Sequence, residues 1–397
     1  MRYISTRGQA ADVDFNGAMV TGLASDGGLY VPASIPALPD GWAGWSYEDA
    51  VSNVLELYGA TDTEQLVKEA TAQFHHPEVA PIVKVGDRMV LELFWGPTLS
   101  FKDHALQVVA RLLDREVEDG LILGATSGDT GSAAIEACRG RESLMVVILF
   151  PEGRVSDFQR KQMTTVAGRN TRAVAVRGTF DDCQRMVKEA FAAYPHLLAV
   201  NSINWARVAA QVGYHVSAGA RIGQPYDVVV PTGNFGNVYS CWLAKQMGVP
   251  IETITIANNA NHGLFDLVNS GEMRAADVVP TMAPAMDIQV PSNLERFPGD
   301  PSQEFRASWS SDAQTAQTIA DVAGAHGYLL DPHTATAWRA GEETRSDRPQ
   351  LVVATAHPSK FDDSIAPPDW FPSFDGLEER VATIDPDIAE LEHQISR

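Results

Sequence analysis

From about residue 81 onward, short unbroken apolar runs recur, each followed by a turn of Gly, Ser and Thr and then by a helical pattern. This rhythm limits the fold more than any other feature of the chain. It reads LILGATSGDTGSAAIEACRG over 121–140, LMVVILFPEGRVSDFQRKQM over 144–163, YDVVVPTGNFGNVYSCWLAKQMG over 226–248 and QLVVATAHPSKFDDS over 350–364. Continuous Val, Ile and Leu, rather than apolar–polar alternation, marks strands buried on both faces and hence a parallel sheet. Strands alternating with helices give an α/β class. In such sheets ligands bind beyond the carboxyl ends of the strands, and the unusual turns fall there.

The first eighty residues differ. They hold ASDGGLYVPASIPALPDGW at 24–42, rich in Gly and Pro, and helix-like stretches near 47–58 and 63–74, which suits a small leading domain over 1–80 before a catalytic region over 81–397. At roughly 100–200 residues per domain, the 397 residues allow two or three domains. The formal charge of −21 argues against nucleic acid and anionic membrane surfaces as partners. An anionic substrate in so acidic a chain needs its arginines and lysines gathered locally. Cys138, Cys183 and Cys241 are odd in number and widely spaced, so neither a disulfide framework nor a metal site is expected, and the setting is reducing and cytoplasmic. The opening MRYISTRGQAADVDF lacks the apolar core of a signal peptide. No run of about 18 apolar residues is long enough to span a membrane.

One lysine is framed with care. In ELFWGPTLSFKDHALQ, residues 92–107, a strand over Met89 to Phe94 runs into a turn at Gly96 and Pro97 and then a helix start. Ser100 and Asp103 form a capping-box pattern, and Leu106, Val109, Leu112 and Leu113 recur at helical spacing. Lys102 therefore lies in the first turn, at the positive end of the helix dipole, where a cation is disfavoured. A lysine condensed as an imine, or working as a neutral amine, suits that place.

Four further turns carry polar chemistry. PTGNFGN, 231–237, joins a strand at Val228 to Val230 to a helix resuming at Val238. Gly233 and Gly236 allow close backbone approach, and successive N–H groups at a helix start cradle phosphate. An ordinary strand-to-helix turn is the plain alternative. ATSGDTG, 125–131, sets Thr126, Ser127, Asp129 and Thr130 around Gly128 and Gly131, a loop that holds a carboxylate or simply caps a helix. Arg154, Ser156, Arg160 and Lys161 follow a third strand, and NSINWARVAAQ adds Asn204 and Arg207. Arginine suits a second anion through bidentate geometry, although a solvated helix face better explains Arg160. In ATAHPSKF, 354–361, the hydroxyl of Thr355 at a strand end can meet a heteroaromatic nitrogen, whereas His357 reads as structural. A lysine, a phosphate cradle, a carboxylate loop and a second anion site together fit pyridoxal phosphate bound to Lys102 as an imine.

At this point the chain resembles the threonine synthases of the bacterial and fungal subgroup. The likeness runs through YISTRG, DGGLYVP, FWGPTLSFKD, ATSGDTG, VILFPEGRVS, NSINWARVAAQ, PTGNFGN, AMDIQVPSN, GYLLDPHTA and TAHPSKF, in the family's order. The resemblance implies fold type II of the pyridoxal-phosphate enzymes, like the tryptophan synthase β chain, with the cofactor between two parallel-sheet parts. The smaller would take about 106–214 and the larger about 81–105 plus 215–397. It implies conversion of O-phospho-L-homoserine and water to L-threonine and phosphate. Carried over by motif, Lys102 would bind the cofactor, Gly233, Asn234, Phe235, Gly236 and Asn237 its phosphate, and Thr355 its ring nitrogen. Thr126, Ser127, Asp129 and Thr130 would hold the substrate carboxylate and nearby cofactor atoms. Arg154, Ser156, Lys161, Asn204 and Arg207 would hold the substrate phosphate. The rivals are a dehydratase or β-replacement enzyme of the same fold, and a non-catalytic relative that only binds the cofactor.

Overall fold

The computed structural model describes residues 1–166, 168–194, 196–274 and 276–395. Strands β1 (Tyr3–Ser5) and β2 (Tyr30–Pro32) pair antiparallel in the leading region. The helices Tyr47–Leu57 and Thr63–Thr71 follow. The first is closed by a capping box in which Ser46 and Asp49 each satisfy the other's backbone N–H. The second of these helices is laid on the helix Lys102–Glu116, and the first along the helix Trp205–Ile222, buried over almost its full length. The contact is close because Gly213 has no side chain. A Cβ there would lie 2.6 Å from Cγ2 and 2.8 Å from Cα of Val51.

Two sheets build the remainder. The larger contains β3 (Ile82–Val85), β4 (Arg88–Glu92), β8 (Tyr226–Pro231), β9 (Ile251–Asn258), β10 (Phe305–Trp309) and β11 (Gln350–Ala354), in the order β10-β9-β8-β11-β4-β3. All neighbours are parallel except the β3–β4 hairpin. The smaller contains β5 (Gly120–Ala125), β6 (Leu144–Pro151), β7 (Thr171–Val176) and β12 (Val381–Ile384), in the order β12-β7-β6-β5, parallel throughout. Every residue of β8 and β11 is buried, which is why their centres, 228–230 and 351–354, read as unbroken apolar runs.

The place of β12 corrects the expected division, which gave all of 215–397 to the larger part. After β11 the chain returns across the molecule and adds β12 to the free edge of β7, registering Val381 with Ala173 and Ile384 with Val176. The returning segment is held by Phe371 and Phe374, which pack on Phe158, and by the N–H of Arg380 donating to the Thr164 carbonyl at 2.6 Å. Helix Ile388–Ile395 then buries Leu391 in the cluster of Leu123, Val174, Cys183 and Met186. The three cysteines are buried and unpaired. Among the described residues no helix is long and apolar enough to cross a membrane.

Candidate active site

Because β4, β11 and β8 are parallel neighbours, their carboxyl ends (Glu92, Ala354 and Pro231) open on one edge of the larger sheet. Each end continues into a polar turn, and the first two are stitched together by backbone. Phe101 N–H donates to the Thr355 carbonyl at 2.8 Å, and His357 N–H donates to the Leu99 carbonyl at 3.1 Å. This fixes the loop before Lys102 against the loop that carries Thr355.

Lys102 is the first residue of helix Lys102–Glu116. The expected capping box is not formed. Phe101 stands at the cap with no side-chain bond, and Asp103 instead reaches back, accepting from Thr98 N–H at 2.8 Å and Thr98 Oγ1 at 2.7 Å. The reason is burial: Asp103 is fully enclosed, and two donors from one residue satisfy both its oxygens. Burial pushes its carboxyl up to about 6, against the lowering pull of the Thr98 donors.

The Lys102 amine is buried and meets Oδ2 of Asp129 at 3.2 Å. Burial lowers its proton affinity, and Lys360 and Arg207 add to that against the opposing attraction of Asp129. Asp129 is correspondingly held below the ordinary carboxylate range. Burial, the largest single influence, would raise it, but Lys360, Lys102, His333 and the Gln159 donor together outweigh burial. Asp129 does not cap its helix, which starts after Gly128 without a side-chain cap. Its Oδ1 accepts from Gln159 Nε2 at 2.8 Å. An ionised carboxylate here repels a second carboxylate, and the group it holds in the structure is the amine of Lys102. Thr126 serves its own loop, its hydroxyl accepting from Gly128 N–H at 3.0 Å and Gly131 N–H at 2.9 Å. Ser127 and Thr130 stay partly exposed on the rim.

The 233–237 turn is tightly determined. Gly233 passes under the 285 carbonyl, where a Cβ would come within 2.3 Å of the Ala285 oxygen. Phe235 takes a left-handed φ of 63° and caps helix Gly236–Met247, with its ring buried against Phe297 and Phe305. Only its backbone faces the turn. Asn234 Oδ1 accepts from Ser292 N–H at 3.0 Å. Asn237 accepts from Tyr214 Oη at 2.9 Å, while its own buried Nδ2 has no partner among the described residues. Thr355 is buried just past β11, its N–H donating to Thr334 Oγ1 at 3.3 Å.

The expected substrate-phosphate set divides. Arg207 lies buried in the first turns of helix Trp205–Ile222, one nitrogen donating to the Val200 carbonyl at 2.9 Å and its Nε without a partner among the described residues. Burial lowers its guanidinium to about 10. Asn204 and Ser156 are corrected. Asn204 caps that helix through Ala206 N–H at 2.9 Å and donates to the carbonyls of Met19 and Ala199 at 2.8 and 2.7 Å. Its amide is fully committed. Ser156 forms a capping box with Gln159 and donates to the Lys360 carbonyl at 3.0 Å. Arg154 is exposed and Lys161 half-buried. Arg160 pairs with Glu379 and Asp157. His357 is half-buried, capping the turn Pro358–Lys360 through Ser359 N–H.

Lys360 was not singled out from the sequence. It is closed from solvent and forms an ion pair with Oδ1 of Asp129 at 3.0 Å. The available signal was a lysine two residues beyond proline in a segment following the apolar run 351–354.

The model of pyridoxal-phosphate dependent enzymes matches residues 89–356, and that of the threonine synthase N terminus matches residues 2–71. A threonine synthase of Pseudomonas aeruginosa is 41% identical, over 92% of this chain and 90% of its own. Among solved structures, the PLP-bound threonine synthase from Brucella melitensis superposes with a TM-score of 0.94 at 38% identity, covering 100% of this chain and 98% of that one. The yeast threonine synthase gives 0.93 at 32%, with the same coverage.

Proposed function

The chain belongs to the threonine synthase family, within the pyridoxal-phosphate dependent enzymes of fold type II, and on that premise we propose that it converts O-phospho-L-homoserine and water to L-threonine and phosphate, with Lys102 as the cofactor lysine. The observation that carries this reading is a buried amine at the sheet edge on which the glycine-spaced 233–237 turn also opens.

The residues present fit the cofactor. The first amides of helix Gly236–Met247 have no acceptor within the helix. With the unpartnered Nδ2 of Asn237 beside them, they suit a phosphate. Gly233, Asn234 and Phe235 contribute through the backbone of the turn. Thr355, at the end of the neighbouring strand, would face the ring nitrogen. Bound there, pyridoxal phosphate supplies an electron sink for the charge left when a carbon next to nitrogen loses its proton.

The chain supplies proton transfer, orientation and charge. Lys102, whose proton affinity is lowered by burial, takes the α-proton of the substrate and then moves protons at the β-carbon. Asp129 holds the amine in place at 3.2 Å. Ser127, Thr130 and their loop amides hold the substrate carboxylate. Arg207 carries the substrate phosphate, with Arg154 and Lys161 adding positive charge at the rim. Phosphate leaves the γ-carbon and water adds at the β-carbon, so one water is consumed for each phosphate released. The three buried thiols accord with a cytoplasmic setting.

The test is direct. Purified protein with pyridoxal phosphate and O-phospho-L-homoserine should release inorganic phosphate and form threonine in equal amounts. Phosphate release with 2-oxobutyrate in place of threonine would reject the water-addition step.

A further inference from the structure

One buried cation has no part in the reaction as derived above. Lys360, in the short turn Pro358–Lys360 after β11, donates to the Thr98 carbonyl at 2.5 Å and to Gln162 Oε1 at 2.9 Å, and its ammonium forms an ion pair with Asp129 Oδ1 at 3.0 Å. The other oxygen of the same carboxylate faces Nζ of Lys102 at 3.2 Å. Two amines therefore share one anion, both out of water.

The charges around this pair come from every side. Asp129 lies at the start of helix Asp129–Cys138, Arg207 on helix Trp205–Ile222 and His333 on helix Pro332–Glu343, and all three act on the Lys102–Asp129 pair. Lys360 also faces Asp103 and His357. Burial keeps His357 neutral near pH 7, lowering it to about 4, and leaves Asp103 only partly ionised below about 6. Lys102, Lys360 and Arg207 thus outnumber the carboxylates of the enclosure, Asp129 and, above about pH 6, Asp103, and of these two only Asp129 meets Lys102. A buried cluster with surplus positive charge is relieved by losing a proton. Arginine does not release one. Lys360 has two hydrogen-bond acceptors and an ion pair holding its ammonium, whereas Asp129 is the one hydrogen-bond acceptor found for Lys102 among the described residues.

We propose that Lys360 is a positioning residue for Lys102: by taking half of Asp129 and placing a second ammonium in the same enclosure, it makes Lys102 the amine that gives up its proton. A neighbouring cation is an established physical route to a nucleophilic lysine. The inference rests on Lys102 being the cofactor lysine.

Cofactor-free protein mixed with pyridoxal phosphate across a range of pH tests it. The unprotonated amine attacks the aldehyde carbon and water is lost, so the rate of covalent capture, followed by visible absorbance, reports the free amine of Lys102. In Lys360→Met the midpoint of the rate–pH curve should rise by about one unit or more, making capture about tenfold slower at a fixed pH below the midpoint. Lys360→Arg, which keeps the charge, should leave the midpoint near that of the unaltered protein. A folded Lys360→Met variant whose midpoint is unmoved, even if capture slows equally at every pH, overturns the proposal. If that variant does not fold, Asp129→Asn decides. Removing the shared anion should lower the midpoint, and a midpoint that stays or rises overturns the proposal. Lys102→Ala is run alongside: persistent capture there would reject the assignment of Lys102 itself, a separate failure.

Discussion

A lysine in the first turn of a helix opposes the helix dipole, and burial adds a desolvation penalty to its charge. Lys102 bears both, with a single carboxylate in compensation. Lys102→Ala should therefore abolish the visible absorption of the bound cofactor and cut turnover by at least about 10²–10⁴-fold; absorbance spectra and phosphate release measure the two. Arg207 presents a different case, since its buried Nε has no acceptor among the described residues while another of its nitrogens holds the Val200 carbonyl. Arg207→Ala should raise KM for O-phospho-L-homoserine roughly tenfold or more, the scale of a charged hydrogen bond, and leave cofactor absorbance intact. Cofactor loss would place Arg207 with the wrong anion. Lys102 was legible because its frame is local: glycine, proline and a helical repeat within a dozen residues. Lys360 and Asp103 were not, because their partners are chosen by burial and by folding of the loops upon one another.

At the scale of elements, the 233–237 turn allows a sharp test. A methyl at position 233 meets the Ala285 carbonyl oxygen, which is backbone and cannot swing aside. Gly233→Ala should cost about 1–3 kcal/mol of stability as an overpacked site and weaken cofactor binding, both measurable by denaturant titration with and without pyridoxal phosphate. A variant with wild-type stability and cofactor affinity would show that the turn yields. The parallel strands of this edge were readable because strands covered on both faces have no polar side to interrupt them. β12 was not readable: Val381–Ile384 is an edge strand, exposed or half-exposed except at Ile384, and so short a stretch carries little periodic signal. The helix caps show the same limit. Asn204 and Ser156 look like ligand donors in sequence, yet their atoms are claimed by nearby backbone.

Across the whole molecule, burial holds three histidines neutral: His104 is lowered to about 3, and His215 and His357 to about 4, from an ordinary 6.5. Below pH 6.5 the unfolded chain takes up protons at these positions that the folded chain refuses, so stability must fall as pH drops from about 6.5 toward 4. Asp103, raised to about 6, has the opposite sign: its contribution is present below the ordinary carboxylate value and is lost as pH rises through 6. His75 is lowered as well, and Glu136 and Asp287 are raised with Asp103; with four lowered histidines against three raised carboxylates, the urea midpoint should decline between pH 6.5 and 4. A midpoint flat across that range would mean that these rings are hydrated in the native state. The smaller sheet has a further consequence, in time rather than in energy. Between Val176, where β7 ends, and Val381, where β12 begins, lie the residues of most of the larger sheet. At about 5–20 residues per second of synthesis, the nascent chain leaves the β7 margin without its neighbour for roughly 10–40 s on the ribosome, an interval in which an intruding strand from another chain could occupy it first.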